Sequence, residues 1–425
     1  MPTCEMHEGY IGAYGIGCLW GGVSVNKYAE AVIAGLVYLG GKICRLDCRK
    51  DVSDGILVVR PDAIGDMVLT IPFLRELRKN CPQCHITLVC NPSIYNLVEL
   101  CPYVDDFLFF DKRARRHKYF SNLVRSIRFA WEHGRKGHYG IAVAPSYANP
   151  DAYADAWICF LSGIPRRISY SEKLDPEKHR YYMGTYDMYF TDIDYDRQIH
   201  HEAEAPLGLL LHHRMSVEDN SLELWTDASD EAVARELLSS CGKVQEERFP
   251  IRIVVCLSSS NPTKDWPVEN FVEVCGRLQR DYGAEIILIG ANRETKLYGE
   301  TFCRNLPETR NLIGKTTLRQ TVAVMRQSDM YLGGDTGPMH MAAACGLCGA
   351  AIYKTAKDLP FLVNNPAKWF APWRADIEVC QPDKALPGCE MGCGMDRHCI
   401  RLVTVDEVYS VMKGKIEKHG LIGCQ

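Results

Sequence analysis

Short apolar segments alternate with amphipathic helical segments along the chain from Ile56 onwards. Continuous apolar runs that end at a turn are typical of parallel strands buried on both faces. The first such run, Ile56–Val59, is followed by a helical segment with Met67, Ile71 and Leu74 spaced for one buried face. Pro72 lies inside that segment, so the helix either kinks there or becomes regular only near Thr70. Three more strands are predicted in this half, at His85–Val89, Phe107–Phe110 and Ile141–Ala144.

The second half of the chain repeats the same alternation. Pro267 is predicted to open a helix, because proline is tolerated in the first helical turn. Two successive series of strands and helices predict an α/β fold with two Rossmann-like, doubly wound domains that face a cleft. The predicted strands of this half are Ile251–Cys256, Ile286–Ile289, Met330–Leu332 and Ala350–Tyr353.

Four segments follow from this alternation. The glycine-rich start of the chain contains one predicted helix, from about Asn26 to Leu39, and has no assigned function. The last segment is predicted to be a helix. We therefore divide the chain into an N-terminal extension (1–54), two Rossmann-like domains (55–226 and 227–400) and a C-terminal helix (401–425).

Composition places the chain among globular proteins. Its 425 residues are 47% hydrophobic and 24% charged, and the net charge of -4 disfavours a nucleic-acid partner. The uncharged run between Glu30 and Lys42 is too short to span a membrane, which leaves a buried helix or an interfacial membrane contact. The 20 cysteines come without a secretory signal, so we expect a reduced, cytoplasmic protein.

Chemistry is predicted at the loops where strands end and helices begin, the ligand-binding edge of such sheets. Before Pro338, the loop with Gly334 and Gly337 favours an anion site at a helix start, with His340 in the first turn, although such turns are also common without function. Lys264 is either a surface lysine or a cation that contacts a phosphate. The chain lacks both the P-loop and the dinucleotide-binding glycine patterns.

Asp66 follows Gly65 at the first of these loops. A carboxylate there either caps the helix start or acts as a general base at the cleft. The helix dipole would lower its pKa and burial would raise it, so the sequence alone leaves its basicity open.

A basic segment lies between two predicted strands of the first domain. From Lys112 to Lys136 it has nine basic residues and one acidic residue, Glu132. It forms either a solvated helix face or a surface for an anionic acceptor or membrane.

A cluster of cysteines lies near the end of the chain. Four thiols within twenty residues, on a glycine-rich loop, suit a structural Zn²⁺ or iron ion, and free thiols and a disulfide are the alternatives. The predicted ligands are Cys380, Cys389, Cys393 and Cys399.

Together these loops resemble glycosyltransferase family 9, the bacterial heptosyltransferases, from about Ile56 to Met412. The resemblance rests on Ile64-Gly65-Asp66 with Thr70-Ile-Pro72, on Pro262-Thr-Lys264 with Trp266-Pro267, on Gly334-Asp-Thr-Gly337 with His340, on Phe370-Ala-Pro372, and on the closing segment Ile400–Val408.

The resemblance implies a GT-B fold and an inverting, metal-independent transfer of a sugar from a nucleotide-diphosphate donor, with no catalytic cofactor. The first expectation is ADP-heptose as donor and a lipopolysaccharide core, or a related anionic surface glycan, as acceptor, at the inner face of the membrane. The resemblance further implies that 55–226 is the acceptor-binding domain and 227–400 the nucleotide-sugar-binding domain, and Asp66 matches the family's base. The residues implied for donor binding are Lys264, Glu294, Asp335, Thr336, Gly337 and His340. Those implied for the acceptor are Arg113, Arg115, Arg116 and Lys118.

The resemblance also implies that the C-terminal helix crosses back to the first domain. The chain departs from the family pattern at Tyr353-Lys-Thr355, at Gly140 and in its long N-terminal extension. Two other functions stay open: a sugar-nucleotide epimerase with the same fold, and a non-catalytic, metal-bound scaffold.

Overall fold

The computed structural model describes residues 25–43, 55–112, 118–147, 153–174, 178–179, 182–196, 199–239, 251–291, 293–358, 366–387 and 399–421. Within these ranges the chain forms two six-stranded sheets in which every pairing is parallel.

The strands of the first sheet are β1 Gly55–Val59, β2 Ile86–Cys90, β3 Asp106–Phe109, β4 Tyr139–Ala144, β5 Arg166–Tyr170 and β6 Asp192–Asp194. Those of the second are β7 Arg252–Cys256, β8 Glu285–Ile289, β9 Arg310–Asn311, β10 Met330–Gly334, β11 Cys348–Ile352 and β12 Ile377–Cys380.

The helices of the first half are α1 Val25–Ile43, α2 Ile64–Asn80, α3 Tyr95–Val98, α4 Lys118–Phe129, α5 Tyr153–Leu161 and α6 Glu204–His212. Those of the second half are α7 Ala228–Ser239, α8 Val268–Tyr282, α9 Arg293–Asn305, α10 Leu318–Arg326, α11 Gly337–Ala344, α12 Pro366–Trp369 and α13 Val405–Lys418.

The two sheets share one topology. The strand order is β3-β2-β1-β4-β5-β6 in the first sheet and β9-β8-β7-β10-β11-β12 in the second. This is the Rossmann order, in which the chain reverses direction across the sheet between β1 and β4 and between β7 and β10. The predicted pair of doubly wound sheets is therefore confirmed, and each sheet has a ligand-binding crevice at its point of reversal.

The described residues form three hydrophobic cores. One lies on the outer face of the first sheet under α1, α4 and α5, and another lies on the outer face of the second sheet under α8 and α13. The third is continuous across both sheets and includes residues of α2, α10 and α11. The two halves thus share buried apolar surface. This shared core holds α2 and α11, whose first turns carry the predicted chemistry, against each other.

Helix α2 is continuous through Pro72 and begins at Ile64. The alternative in which the regular helix starts near Thr70 is therefore wrong. The helix tolerates the proline because Met67 to Leu77 are all buried, so packing outweighs the local defect. Helix α8 begins one residue later than predicted, at Val268, so Pro267 directly precedes the helix and is not its first residue.

Helix α1 packs on the first sheet's outer helices. The Tyr189 hydroxyl donates to the Ala34 carbonyl, and the Tyr38 ring lies 5.4 Å from that of Phe160. The helix predicted from about Asn26 to Leu39 is therefore confirmed, over Val25–Ile43, and the N-terminal segment contributes it to the first core.

The expected return of the C-terminal helix to the first domain is wrong. Helix α13 buries Val408, Met412 and Ile416 in the outer core of the second sheet. The segment that contacts the first half instead surrounds α12. There the Trp369 carbonyl accepts a hydrogen bond from the backbone N–H of Glu202 at 2.9 Å.

Candidate active site

Asp66 lies in the first turn of α2, one residue after the close-packed Gly65. Its Oδ2 accepts a 3.2 Å hydrogen bond from the backbone N–H of Ala63, which fixes the carboxylate at the helix start. The side chain is 27% exposed, so one edge of it can meet a substrate. The structure shows the helix-start role considered for this residue, and the exposed edge leaves the role of general base as a prediction.

A buried arginine lies directly beneath Asp66. Arg60, at the end of β1, places Nη2 2.7 Å from Glu202 Oε1 and 3.6 Å from Asp66 Oδ1. Its Nε is 3.4 Å from Asp62 Oδ2. Because the guanidinium is held by three carboxylates from different segments, it has a fixed position from which to orient Asp66.

Lys112 extends this network on the other side. Its Nζ lies 2.7 Å from Asp62 Oδ1 and 2.9 Å from Asp155 Oδ1, and all three side chains are buried. Lys112 had been assigned to the basic segment, on either a solvated face or an acceptor surface. That assignment is wrong, because Lys112 compensates two carboxylates in the interior.

The network therefore contains two cations and four carboxyl groups. Burial of this excess of acids raises the pKa of Glu202 to about 7, against the attraction of Arg60. Burial likewise raises the pKa of Asp155 to about 7. It also raises the pKa of Asp66, while Arg60 opposes the rise. A carboxylate with a raised pKa is a better proton acceptor, as a general base requires.

The start of α11 meets the start of α2 head-on. A Cβ added to Gly337 would lie 2.6 Å from Ile64 Cβ, and one added to Gly65 would lie 2.7 Å from His340 Cδ2. Only glycine permits this approach. Because both helices direct the positive ends of their dipoles here, the junction favours a bound anion.

His340 is buried at this junction, and its expected contact with the donor stays a prediction. Burial lowers the pKa of its imidazole to about 3, and His201 and Lys264 add to the effect. It is therefore neutral at physiological pH. Its Nδ1 has no hydrogen-bond partner among the described residues. The packing of its ring on Gly65 fixes the distance between the two helices.

Lys264 and Asp335 face each other across the point of reversal of the second sheet. Lys264 follows β7 and Asp335 follows β10, and Lys264 Nζ lies 2.5 Å from Asp335 Oδ2. The sequence predicted that a cation on one loop and an anion site on another hold a diphosphate. The structure brings these two loops together. Lys354 lies close by, donating from Nζ to Thr263 Oγ1 at 3.0 Å, in a segment considered only as a departure from the family pattern.

Thr336 and Glu294, two other residues predicted to bind the donor, lie at different distances from the point where the second sheet reverses. Thr336 immediately precedes α11 in extended backbone, and its side chain does not cap the helix. Pro338 has no N–H and the Met339 N–H donates to the Thr336 carbonyl at 3.0 Å, so an anion at this helix start would depend on the Gly337 N–H and the helix dipole. Glu294 lies exposed in the first turn of α9, after β8, one strand away from the reversal. It contributes to the raised pKa of Asp265, for which burial is the main cause.

The predicted acceptor residues are largely outside the described residues. Arg113, Arg115 and Arg116 lie in the segment 113–117, and of Lys118 only the backbone is described, as the first residue of α4. Their assignment to the acceptor stays a prediction.

The cysteine cluster is described only in part. Cys380 is buried at the end of β12, where burial raises the pKa of its thiol to about 12. Cys399 is also buried, and its Sγ accepts from the Leu386 N–H at 3.3 Å. Cys389 and Cys393 lie outside the described residues. No group of three or more metal-ligating side chains occurs in the described part of the chain, so the metal site stays a prediction.

The sequence had missed Arg60, Asp62, Asp155 and Glu202 as members of the site. Asp155 did carry a signal, because it is the one charged residue in the apolar helix α5. Arg60 and Asp62 directly follow a buried strand, at the expected ligand edge. Glu202 carried none, since it lies 142 residues from its partner Arg60.

Comparisons with known proteins agree with this geometry. Residues 150–369, just over half of the chain, match the family model described as glycosyltransferase family 9 (heptosyltransferase). Lipopolysaccharide heptosyltransferase 2 of Escherichia coli strain K12 is 23% identical over 322 residues, which cover 70% of this chain and 82% of that protein.

Two solved structures share the fold. The glycosyl transferase family 9 protein from Veillonella parvula DSM 2008 has a TM-score of 0.67 and 21% identity, over 87% of this chain and 99% of that one. E. coli ADP-heptose LPS heptosyltransferase II has a TM-score of 0.61 and 17% identity, over 86% and 99%.

Proposed function

The chain belongs to glycosyltransferase family 9 and is a glycosyltransferase, and from that premise we propose that it transfers heptose from ADP-heptose to a lipopolysaccharide core or a related anionic surface glycan. The names of its relatives support this donor and acceptor. Family membership favours transfer over the epimerase and scaffold alternatives. A donor of this kind and a lipid-linked acceptor meet at the cytoplasmic face of the inner membrane, which is where we infer the enzyme works.

One observation carries the proposal: the start of α2, which holds Asp66, abuts the start of α11, which follows Asp335. A carboxylate with a raised pKa therefore lies beside a site suited to a diphosphate. Neither the base nor the anion site would be useful alone. Their contact allows an acceptor hydroxyl and an activated sugar to be held together.

The reaction then needs only groups of this chain. Asp66 takes the proton of the acceptor hydroxyl, whose oxygen attacks the anomeric carbon from the face opposite the diphosphate. The bond from that carbon to the diphosphate oxygen breaks, and the electron pair leaves with the nucleotide. Lys264 and the positive end of the α11 dipole, with the Gly337 N–H, stabilise the departing charge.

Asp66→Asn tests the function. We expect turnover of ADP-heptose with a lipopolysaccharide core acceptor to fall by about 10² to 10⁴, the usual contribution of a general base. The affinity for ADP should barely change, because Asp66 lies on the acceptor side. Product is followed as ADP release and as the mass gain of the acceptor.

Asp230→Asn is the matched control, because Asp230 also accepts a backbone N–H at a helix start, at 3.1 Å in α7. Near-normal turnover of Asp66→Asn would refute the assignment of the base. No turnover of the unmodified protein with this donor and acceptor would refute the proposed substrates.

A further inference from the structure

Helices α1 and α4 each carry a stripe of exposed apolar side chains on their outward faces. The spacings of three and four residues place each stripe along one side of its helix. The side chains are 49 to 81% exposed. On α1 they are Tyr28, Val32, Leu36, Leu39 and Ile43. On α4 and the short π-helix Ala130–Gly134 that follows it, they are Phe120, Val124, Ile127 and Trp131.

The two stripes belong to one outer layer, because both helices cover the fully buried helix α5. Tyr38 of α1 packs on Phe160 of α5, and Tyr119 of α4 packs edge-on against Trp157 of α5, with ring centroids 5.0 Å apart. The two helices also contact each other directly, since the Tyr119 hydroxyl donates to the Glu30 carbonyl. We call these outward faces the α1–α4 surface.

This surface holds most of the exposed large apolar side chains in the described structure. Nine of the fifteen lie on it, and the other six are scattered over the rest of the fold. Single exposed apolar residues are ordinary, but a contiguous group marks an interaction site. The inward faces of both helices already fill the core, so the outward stripes are available for a partner.

The charges around the stripes are mainly positive. The basic residues on α1, on α4 and on the turn that follows α4 are Lys27, Lys42, Lys118, Arg125, Arg128, Arg135 and Lys136. Lys27 pairs with Glu30 and Arg128 with Glu132, each at 2.8 Å, and Arg125 lies 3.8 Å from Asp111. The seven basic residues therefore still outnumber the three acidic residues around them. The chain as a whole has a net charge of -4, so this surface differs in sign from the rest of the molecule. A second copy of the chain would bring like charges together, which disfavours a symmetric dimer through this face.

Anionic lipid is the partner that fits both properties. An interfacial helix buries an apolar face at the boundary of the acyl chains and keeps basic residues near the headgroups. Trp131 and Tyr28 add aromatic rings of the kind that settle at this boundary. No helix in the described ranges is long and apolar enough to cross a bilayer.

We propose that the α1–α4 surface docks the enzyme on an anionic lipid bilayer. The inference rests on the proposed function in one respect, because a lipid-linked acceptor would then be met at the same membrane. Helix α1 belongs to the N-terminal segment that had no assigned role, and its position beside α4 gives it one.

The test compares vesicles of phosphatidylcholine alone with vesicles that also contain phosphatidylglycerol, by co-sedimentation. We expect the protein to bind the anionic vesicles more tightly, and less so as salt is raised. The double variant Leu36→Glu, Trp131→Glu should lose binding by about tenfold or more, since each change removes a large apolar side chain from the contact. The control is Leu297→Glu, at a similarly exposed position in α9, which should bind normally.

A second arm separates this proposal from the proposed function. With a delipidated, soluble acceptor the double variant should turn over at the normal rate, and with the acceptor in vesicles it should be slower. If the unmodified protein transfers heptose but binds no anionic vesicles, docking is refuted while the function stands. If it binds vesicles but transfers nothing, the function fails alone.

Light scattering provides the last discrimination. If the unmodified protein is dimeric and the double variant is monomeric, the α1–α4 surface is an interface between two copies and the proposal is overturned. An equal mass for the two proteins, together with lost vesicle binding in the variant, supports it. A normal melting temperature of the variant shows that the exposed substitutions leave the fold intact.

Discussion

Replacing Glu202 with glutamine should make the protein more resistant to unfolding at high pH. Glu202 is 2% exposed and bonds to Arg60 at 2.7 Å, yet burial raises the pKa of its carboxyl to about 7, from an ordinary value of 4.5. The folded state therefore binds this proton more tightly than the unfolded chain does. The resulting stability is present at low pH and is lost as the pH rises through 7.

The size of the effect follows from the two pKa values. Between pH 5 and pH 9 the loss is on the order of 2 to 3 kcal/mol, at about 1.36 kcal/mol for each tenfold difference in proton affinity. Glutamine resembles the protonated acid and keeps an oxygen for Arg60, so Glu202→Gln avoids this loss. We expect similar melting temperatures at pH 5 and a variant about 2 to 4 °C more stable at pH 9, at roughly 1 °C per kcal/mol for a chain of this length.

The assay is the melting temperature of both proteins over this pH range. Glu223→Gln is the control for the loss of a glutamate–arginine pair, because Glu223 bonds to Arg75 at 2.7 Å but is 30% exposed. A constant difference between Glu202→Gln and the unmodified protein from pH 5 to pH 9 would contradict the reasoning, since it would mean that Glu202 keeps one protonation state throughout.

Three further predictions concern the donor side and the cysteines. Lys264→Ala should weaken ADP by about 1.5 to 3 kcal/mol and AMP by less, and equal weakening in calorimetry would show that Lys264 does not contact the outer phosphate. Gly65→Ala should destabilise the protein by about 1 to 3 kcal/mol because its Cβ would overlap His340, whereas Gly334→Ala, with its nearest contact at 3.6 Å, should be tolerated in the same melting assay. Protein purified without chelators or added metal should hold about one Zn or Fe per chain by elemental analysis. Less than about 0.1 equivalents, with all four thiols titratable in the folded protein, would refute the site formed by Cys380, Cys389, Cys393 and Cys399.

The fold was largely predictable because buried parallel strands leave a strong local signal. The apolar runs at β1, β2, β7 and β8 were placed within one or two residues of their observed bounds. The missed strands lack such a signal. Strand β5 begins with two arginines at Arg166, and β6 and β9 are only three and two residues long. Strand β12 has four residues, and the charged Glu378 interrupts its apolar run. Their pairing is set by neighbouring strands, and periodicity along the chain cannot report it.

The candidate site was predictable where it depends on local loops. Asp66, Lys264 and Asp335 each follow a strand, and a parallel sheet brings such loops to one edge. The buried charges were not predictable, because a lysine such as Lys112 has the same local sequence whether its partners are water or distant carboxylates. The pairing of Arg60 with Glu202 depends on how α6 packs against α2, and that follows from the complete fold.

The two sides of the site differ in how firmly their cations are held. Arg60 is buried and bound by three carboxylates, so it can hold Asp66 without moving when a substrate arrives. Lys264 keeps 29% of its side chain exposed, and Asp335 is the one carboxylate with which it pairs in the described structure. A diphosphate can compete for that lysine at little structural cost, because the ammonium group is already at the surface. In the mechanism that we propose, the base Asp66 is preorganised by its buried partner Arg60, whereas Lys264 exchanges Asp335 for a ligand phosphate. This division suits an enzyme that must release a nucleotide after each transfer while keeping its base in place.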